Sequence, residues 1–343
     1  HKCFQNSSDL QTYLKQRLPE RIELGPVYSE RPDQPLLTPR PVEREFIIDI
    51  DLTDMSHAIF TSRDNPRDAS FQSSWTFIAA AVEILDMSLR KDFGFQHLLW
   101  VFSGRRGVHC WVADERARVL SFEARCAITD NLQFHRRDIA SPANGLDLHP
   151  SLQRAADHLD SSGLFLDMLD EQEWLLPHRR EWVLDFIEDE KMRDEVRERL
   201  SEAAPASQAN QRILWGLLCN TLKNPRWPEN KRRVNSRRWR NKPLALNTVS
   251  ALMLAMAYPW LDANVSKSVN HLLKLPFAVH PLTGFICVPL DPTTVRSVDV
   301  TELPTLEMVC CNAHLLDPYV KTFKDCFVGP LHLSIVRRAE TMF

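Results

Sequence analysis

The sequence predicts a mixed α/β fold in which a helical segment interrupts a sheet-containing core. The stretch REFIIDIDLTD alternates apolar and polar residues with the period of a strand, and HLLWVFSGRRGVHCWVAD indicates two more strands joined by a tight turn. Residues from about 115 to 240 carry a helical, strongly charged pattern, and a strand pattern returns after about 262. This order favours one core built from the first and last thirds of the chain, with helices inserted between them.

Composition limits the possible functions. The 343 residues are 44% hydrophobic and 25% charged, which is enough for a substantial core. The net charge of −3 means that any nucleic-acid binding must come from a local basic patch. The 8 cysteines include no CxxC pair, which favours free thiols in an intracellular protein. The longest apolar stretch, ALMLAMAYPWL, is roughly half of a bilayer span, so no membrane partner is predicted.

The elements are predicted in order along the chain. SDLQTYLKQRL indicates a helix over residues 8–18, and a proline-rich loop separates it from the first strand. A capped amphipathic helix over 74–93 ends before Gly94. After the helical region, DANVSKSVNHLLK predicts a helix and FAVHPLTGFICVPL a hairpin. The predicted domains are residues 1–165 as the first part of the core, 166–245 as a helical subdomain, and 246–343 as the second part with a C-terminal segment.

Two aspartates stand out on the first strand. Asp49 and Asp51 leave the same face of the strand, with their backbones about 6.6 Å apart. Paired carboxylates repel each other unless a cation neutralises them, and hard oxygen ligands suit Mg²⁺ or Mn²⁺. The alternative is a solvent-facing strand edge, because the DxD pattern is common.

The turn SGRRGVH predicts an anion site. Glycines at both ends let the backbone approach a ligand, and the guanidinium groups of Arg105 and Arg106 match phosphate oxygens. His109 starts the next strand and is able to donate to the same anion. The alternative is a surface hairpin whose arginines keep its tip soluble.

A third group of polar residues follows the helical region. His271 and Lys274 are three apart and share one face of the predicted helix, Asp262 precedes that helix, and His280 lies at the hairpin tip. Taken singly, His280 is equally a turn residue and Asp262 a helix N-terminal acid. Together with the aspartates and arginines, the set offers metal ligands and cations for an anionic substrate, which phosphoryl or nucleotidyl transfer requires.

These blocks resemble the catalytic small subunit of the archaeo-eukaryotic DNA primase family, in its eukaryotic type. The resembling segments are IELGPVYSERP, FIIDIDLTD, DFGFQHLLWVFSGRRGVHCWVAD, LDANVSKSVNHLLKLPFAVHP and PYVKTF. The resemblance implies a primase core with an inserted helical subdomain, and two-metal-ion synthesis of short RNA primers from NTPs at the start of DNA replication. It implies a DNA template and RNA primer, the primase large subunit and the DNA polymerase alpha complex as partners, and the nucleus as location.

The resemblance also implies roles for individual residues. The catalytic and metal-binding residues would be Asp49, Asp51 and Asp262, with Mg²⁺ or Mn²⁺ as cofactor. The nucleotide phosphates would be bound by Ser103, Arg105, Arg106, His109, Lys274 and His280. The incoming ribose would lie against His271, Leu272 and Leu273. A catalytically impaired, primase-like scaffold or nucleic-acid-binding subunit is the alternative function, and a relative that uses dNTPs is a third.

The chain departs from the family pattern after the DxD strand. Family members carry a cysteine-built zinc site there, whereas residues 56–75 contain no cysteine and offer only His57. Four ligands are needed for structural zinc, so none is predicted, and packing around Phe71 is expected to replace it. The chain opens at His1 instead of methionine, so we expect a preceding segment, which in the family carries an acidic residue and a nucleotide-binding arginine.

Two further features lie outside this set of site residues. Glu23 occupies a position where the family tends to have an aspartate near the nucleotide. The basic stretch NPRWPENKRRVNSRRWRNK over 224–242 predicts contact with template or primer backbone, with Trp227 and Trp239 stacking on bases. A mobile loop or a nuclear-localisation stretch is the alternative.

Overall fold

The structure is a computed structural model that describes residues 2–31, 39–54, 69–135, 148–203, 210–224, 226 and 244–341. The mixed helix-and-sheet class predicted from the sequence is confirmed. Contacts divide the chain into two units, residues 1–132 with 260–343, and residues 133–259. The first unit is therefore built from both ends of the chain, and the predicted boundaries at 166 and 245 fall inside the second unit.

In the part of the chain that the structure describes, the strands belong to the first unit. They are β1 (Glu23–Leu24), β2 (Val27–Tyr28), β3 (Pro41–Glu43), β4 (Phe46–Asp51), β5 (Leu98–Phe102), β6 (Gly107–Val112), β7 (Leu273–Lys274) and β8 (Pro289–Leu290). The main sheet has the order β4-β6-β5-β8, and two small sheets pair β1 with β7 and β2 with β3. All of these pairings are antiparallel.

The α-helices are distributed over both units. In chain order they are α1 (Ser7–Arg17), α2 (Ala69–Lys91), α3 (Glu115–Arg118), α4 (Phe122–Leu132), α5 (Pro150–Ser161), α6 (Leu164–Gln172), α7 (Arg180–Leu184), α8 (Glu190–Ala203), α9 (Gln211–Lys223), α10 (Leu244–Ala257), α11 (Ala263–Lys267), α12 (Leu306–Cys311), α13 (Asp317–Thr322) and α14 (Gly329–Thr341). Short 3₁₀ segments follow β4 and β8, and a π-helical segment, Phe323–Val328, joins α13 to α14.

The main sheet is buried on both faces. On one side, Trp75 of α2 packs edge-on against Phe102 at 6.1 Å between ring centroids, and its Nε1 donates to the Val295 carbonyl at 2.7 Å. Ile47, on the same face of β4 as the two aspartates, is also buried, in a cluster with side chains from β5, β6, α11 and β7. A hydrophobic cover on this face places the aspartates at the margin of a core, which a solvent-facing strand would not provide.

The predicted helix over DANVSKSVNHLLK is wrong after Lys267. The chain leaves the helix at Ser268 and returns as β7, which pairs with β1 in the register Leu24↔Leu273. In a helix the His271 carbonyl would accept from Leu275 N–H. Here Arg44 Nη2 donates to that carbonyl at 3.1 Å, and the Leu275 N–H donates to the carbonyl of Ile22. Long-range partners therefore replace the helical bond, and His271 and Lys274 do not share a helix face.

The second unit is a helical assembly over α5–α10. In α8, buried Met192, Val196 and Leu200 recur every four residues along an otherwise charged sequence, as an amphipathic helix requires. The apolar end of α10 is buried on all sides over residues 251–257, so it is a core helix. Among the described residues, none of the helices combines the length and the apolar run that a membrane span needs. All 8 cysteines of the chain lie in described segments and carry free thiols.

Candidate functional site

The turn between β5 and β6 is closed by its own hydrogen bonds. The Ser103 N–H donates to the Gly107 carbonyl at 2.9 Å, and the Gly107 N–H donates to Ser103 Oγ at 3.1 Å. Gly104 has a φ of +86°, and a Cβ there would lie 2.6 Å from the Cβ of His280. A Cβ on Gly107 would lie 1.8 Å from the Ile50 carbonyl oxygen. Both glycines are therefore required by close packing against neighbouring backbone or side chain.

The two arginines of this turn are half-buried, and their positive charges act on ionisable groups of the candidate site. Arg106 Nε lies 3.6 Å from Asp51 Oδ1, and the Leu52 N–H donates to the Arg106 carbonyl at 3.1 Å. The charge of Arg105 acts on His280, where it adds to burial and to Lys274 in lowering the pKa of the imidazole. This arrangement differs from the alternative of a surface hairpin, in which the arginines would be fully solvated.

Three aspartates from both ends of the chain come together beside the turn. The Asp262 N–H donates to the Asp49 carbonyl at 2.9 Å, which joins the start of α11 to the free edge of β4. Burial, followed by repulsion from Asp262 and Asp51, raises the pKa of Asp49 to about 7. The Asp262 carboxylate caps α11 by accepting from the Asn264 N–H at 2.8 Å. Sequence reasoning predicted this convergence, and the backbone hydrogen bond is the contact that produces it.

Asp54 is a fourth carboxylate in this region that sequence reasoning missed. The strand ends at Asp51, and a 3₁₀ turn, Leu52–Asp54, follows it. Burial raises the pKa of Asp54, with further contributions from Asp51 and Asp262, while Arg106 opposes them. If the strand continued, alternation would place Asp54 on the face opposite to Asp49 and Asp51. The 3₁₀ turn is what brings its carboxylate close enough for Asp51 and Asp262 to act on it.

His109 lies against the catalytic candidates. It is paired with Asp49 in the β4–β6 register, and its Nε2 lies 3.6 Å from Asp49 Oδ1. Burial is the main cause that lowers the pKa of His109 to about 3, and the charge of Lys274 acts in the same direction. The ring is therefore neutral at neutral pH. Its Nδ1 is buried and has no hydrogen-bond partner among the described residues.

Lys274 and His280 complete the cationic side of the site. Lys274 Nζ donates to the Ser103 carbonyl at 3.5 Å, which ties β7 to the double-arginine turn. Burial, then the charges of Lys274 and Arg105, lowers the pKa of His280 to about 4. The Leu282 N–H donates to His280 Nδ1 at 3.3 Å, so the neutral ring carries its proton on Nε2.

The segment before Lys274 is ordered by contacts with the start of the chain. His271 and Leu272 are exposed, whereas Leu273 is buried in the core. Glu23 is paired with Lys274 in the β1–β7 register and accepts from Arg21 Nε at 2.8 Å. This small sheet therefore reaches the candidate site through Lys274, which β1 holds in register.

The acidic residues suit a divalent cation by their chemistry. Within the described residues, no three His, Cys, Asp or Glu side chains are arranged as a ready ion-binding group. Repulsion from Asp262 and Asp51 nevertheless contributes to the raised pKa of Asp49, and a bound cation would relieve it. Hard carboxylate oxygens are the ligands that Mg²⁺ and Mn²⁺ prefer.

Some predicted features lie outside the described residues. The stretch 56–68 with His57, the side chain of Phe71, and almost all of the basic stretch 224–242 with Trp227 and Trp239 belong to them. The absence of zinc and the template contact therefore stay predictions.

Comparison with known proteins identifies the family. The sequence model of the family described as DNA primase small subunit matches residues 48–292. The DNA primase small subunit of Drosophila melanogaster is 30% identical over 94% of this chain and 73% of its own length. That of Caenorhabditis elegans is 33% identical over 85% of this chain and 70% of its own length. The DNA primase small subunit of Saccharomyces cerevisiae is 29% identical over 94% of this chain and 79% of its own length.

An archaeal relative shares a smaller part of the chain. The DNA primase small subunit PriS of Archaeoglobus fulgidus is 26% identical over 39% of this chain. The matched region of the family model contains both Asp49 and Asp262, the double-arginine turn and Lys274. The chain belongs to the DNA primase small subunit family, a family of nucleotidyltransferases that synthesise RNA primers.

Proposed function

We propose that this chain makes RNA primers on a DNA template at the site between the β4 edge and the double-arginine turn. The observation that carries the proposal is the joining of Asp262 to Asp49 beside a turn whose Arg106 faces Asp51. An acidic cluster next to a cationic cradle suits a reaction in which a triphosphate is bound and a hydroxyl attacks it.

The aspartates would hold divalent cations. We assign Asp49, Asp51 and Asp262 as the ligands of Mg²⁺ or Mn²⁺, because Asp262 is hydrogen-bonded to the Asp49 carbonyl and the repulsion of Asp262 and Asp51 adds to burial in raising the pKa of Asp49. When bound, such cations would activate the primer 3′-hydroxyl and neutralise the leaving pyrophosphate. The protein's own part is to hold the three carboxylates together beside the main sheet, with Asp49 half-buried and Asp51 partly open to solvent.

The cationic cradle would bind and orient the triphosphate. Arg105, Arg106 and Lys274 supply positive charge, and guanidinium groups bind phosphate oxygens in bidentate geometry. Neutral His280 would donate from Nε2, since its Nδ1 is occupied by the Leu282 N–H. Ser103 and His109 complete the phosphate-binding set. The ribose would lie against His271, Leu272 and Leu273.

The wider assignments follow the family. The primase large subunit and the DNA polymerase alpha complex are the proposed partners, and the nucleus is the proposed location, since the relatives with the widest coverage are eukaryotic. The basic stretch 224–242 is proposed to contact template or primer. No feature of the described residues favours the alternative of an impaired scaffold subunit.

A direct assay tests the proposal. The protein is incubated with poly-dT, ATP and Mn²⁺, and oligoribonucleotide products are measured for the unmodified chain, Asp49→Ala and Asp262→Ala. Both variants are expected to lose activity by about a hundredfold or more, because removing a catalytic electrostatic group costs that much. Incorporation of ATP is compared with that of dATP to separate a primase from a dNTP-using relative.

Asp299→Ala is the matched control. Asp299 caps a short helical turn through a 2.8 Å bond from the Thr301 N–H, as Asp262 caps α11 through a 2.8 Å bond from Asn264. Both substitutions remove an equivalent cap, but only Asp262 adjoins Asp49. Primer synthesis that persists in Asp49→Ala would remove the assignment, and an inactive unmodified chain, tested with the large subunit, would favour the scaffold alternative.

A further inference from the structure

Arg44 is a buried arginine that none of the roles above uses. Its side chain is 1% exposed, and it lies between β3 and β4 on the chain. Its guanidinium carbon sits 5.1 Å from the centroid of the Trp111 ring, and its backbone N–H donates to the Arg118 carbonyl at 3.0 Å. A buried charge is costly unless its contacts compensate, so the partners of this guanidinium indicate its role.

The guanidinium bridges the open end of the β1–β7 ladder. Nη1 donates to the Gly25 carbonyl at 3.3 Å, and Nη2 donates to the His271 carbonyl at 3.1 Å. The last pair of this ladder is Leu24↔Leu273; Gly25 is the first residue after β1, and His271 lies two residues before β7 begins. A ladder of two pairs has little stability of its own. The planar fork of the arginine holds the two strands together where their pairing stops.

The same ladder carries part of the candidate site. Lys274 directly follows Leu273, and its ammonium donates to the Ser103 carbonyl at the double-arginine turn. Arg44 is in turn anchored to the main sheet through Trp111 of β6. It therefore sets the position of the 271–274 segment relative to the strand that begins at that turn.

We propose that Arg44 is a positioning residue that fixes the His271–Lys274 segment for the incoming nucleotide. The inference rests on the proposed function, in which this segment meets the ribose and a phosphate. It assigns no chemical step to Arg44 itself. Its consequence is that nucleotide binding weakens when the fork is lost, although every residue that touches the nucleotide is still present.

Arg44→Lys is the informative substitution. Lysine keeps the charge and the aliphatic stem but lacks the planar fork, so one ammonium cannot hold both carbonyls in this geometry. Hydrogen bonds from charged donors are strong enough that losing one raises the KM for ATP about tenfold. The kcat is expected to stay within about twofold, since the aspartates are unchanged. The Kd for ATP with Mg²⁺, measured by calorimetry, is expected to rise in parallel with KM.

Arg116→Lys is the control, at an exposed position that has the same kinds of contact. Arg116 also lies over an aromatic ring, with its guanidinium carbon 5.1 Å from the Phe95 centroid, and it also donates to two backbone carbonyls, those of Phe93 and Gly94. Those carbonyls belong to the loop before β5. This variant is expected to keep the KM and the Kd of the unmodified chain.

The KM and Kd of these variants decide whether Arg44 is a positioning residue. An unchanged KM and Kd in Arg44→Lys, or an equal rise in Arg116→Lys, overturns it. If Arg44→Lys does not fold, as judged by its melting curve, Trp111→Phe replaces it, because this change weakens the ring contact under the guanidinium. Trp111 also packs in the core cluster that contains Leu273, so the melting curve of this variant is measured together with its Kd. That variant is expected to raise the Kd for ATP about threefold, and an unchanged Kd overturns the inference. An unmodified chain that makes no primers rejects the proposed function, whereas the ATP-binding comparison still tests Arg44.

Discussion

Two histidines of the candidate site, His109 and His280, are neutral at neutral pH. Burial and neighbouring cations lower the pKa of His109 to about 3 and that of His280 to about 4. In the proposed function, the positive charge that binds the triphosphate would therefore come from Arg105, Arg106 and Lys274. The motif alone does not reveal this division, because an isolated histidine is close to half-protonated near pH 6.5.

The lowered pKa of His280 predicts a pH-dependent stability. The unfolded chain takes up a proton on this imidazole near pH 6.5, whereas the folded chain takes it up only near pH 4. The free energy of unfolding therefore decreases as the pH is lowered from about 6.5 to about 4. His280→Asn keeps an acceptor for the Leu282 N–H but does not titrate. Urea unfolding from pH 7.5 to 4.5 is expected to show a shallower loss in the variant.

The comparison isolates His280 because both proteins keep the other titrating groups. Asp49, whose pKa is raised, adds to the free energy of unfolding as the pH is lowered, and it does so equally in the unmodified chain and in His280→Asn. Parallel curves for the two proteins would show that His280 does not titrate on unfolding.

Gly104 predicts a loss of stability on substitution. Gly104→Ala forces a side chain onto a φ of +86° and places its Cβ 2.6 Å from the Cβ of His280. Strain and overlap together are expected to cost about 3 kcal/mol of unfolding free energy. Gly284 has a similar φ of +73° but no described atom within 4 Å of an added Cβ. Gly284→Ala is therefore expected to cost only about 1 kcal/mol, and equal losses would argue against the packing explanation.

Buried arginines join elements of this fold by donating hydrogen bonds to backbone carbonyls of other segments. Arg125 of α4 is fully buried and donates to the carbonyls of Arg44, Glu45, Ala117 and Arg118. It thereby ties α4 and the end of α3 to the segment that enters β4. Sequence patterning assigns α4 to a charged helical region and gives no sign that one of its arginines lies in the core.

Arg125→Met tests this connection. Methionine fills a similar volume but removes the donors that Arg125 supplies to the Arg44 and Glu45 carbonyls, so the unfolding free energy is expected to fall by about 3 kcal/mol or more. Chemical denaturation followed by tryptophan fluorescence measures it. Lys267→Met removes a partly exposed 2.8 Å bridge from α11 to Asp130 of α4 and is expected to cost less than about 1 kcal/mol. A similar cost for both variants would contradict the role assigned to Arg125.

Across the whole molecule, the two ends of the chain make the unit that carries the site. Residues 1–132 and 260–343 share it, and residues 133–259 form a separate helical unit between them in sequence. The family match from 48 to 292 spans this interruption. A net charge of −3 is compatible with the proposed nucleotide site, since Arg105, Arg106 and Lys274 bring positive charge together locally at one turn and one short strand.

The sequence by itself determined the fold class, the strand that carries Asp49 and Asp51, and the turn that carries Arg105 and Arg106. These features depend on local alternation and on glycine placement, which neighbouring residues encode. Their meeting with Asp262 could be expected only through the family resemblance.

Only the tertiary structure decided the rest. Residues after Lys267 pair with Glu23–Leu24 instead of continuing a helix, because distant partners take the His271 carbonyl and the Leu275 N–H. The approach of Asp54 and the burial of Arg44 likewise depend on contacts between segments far apart in sequence. Local propensity is a weak preference that long-range hydrogen bonds and burial override, so these features could not be read from the chain alone.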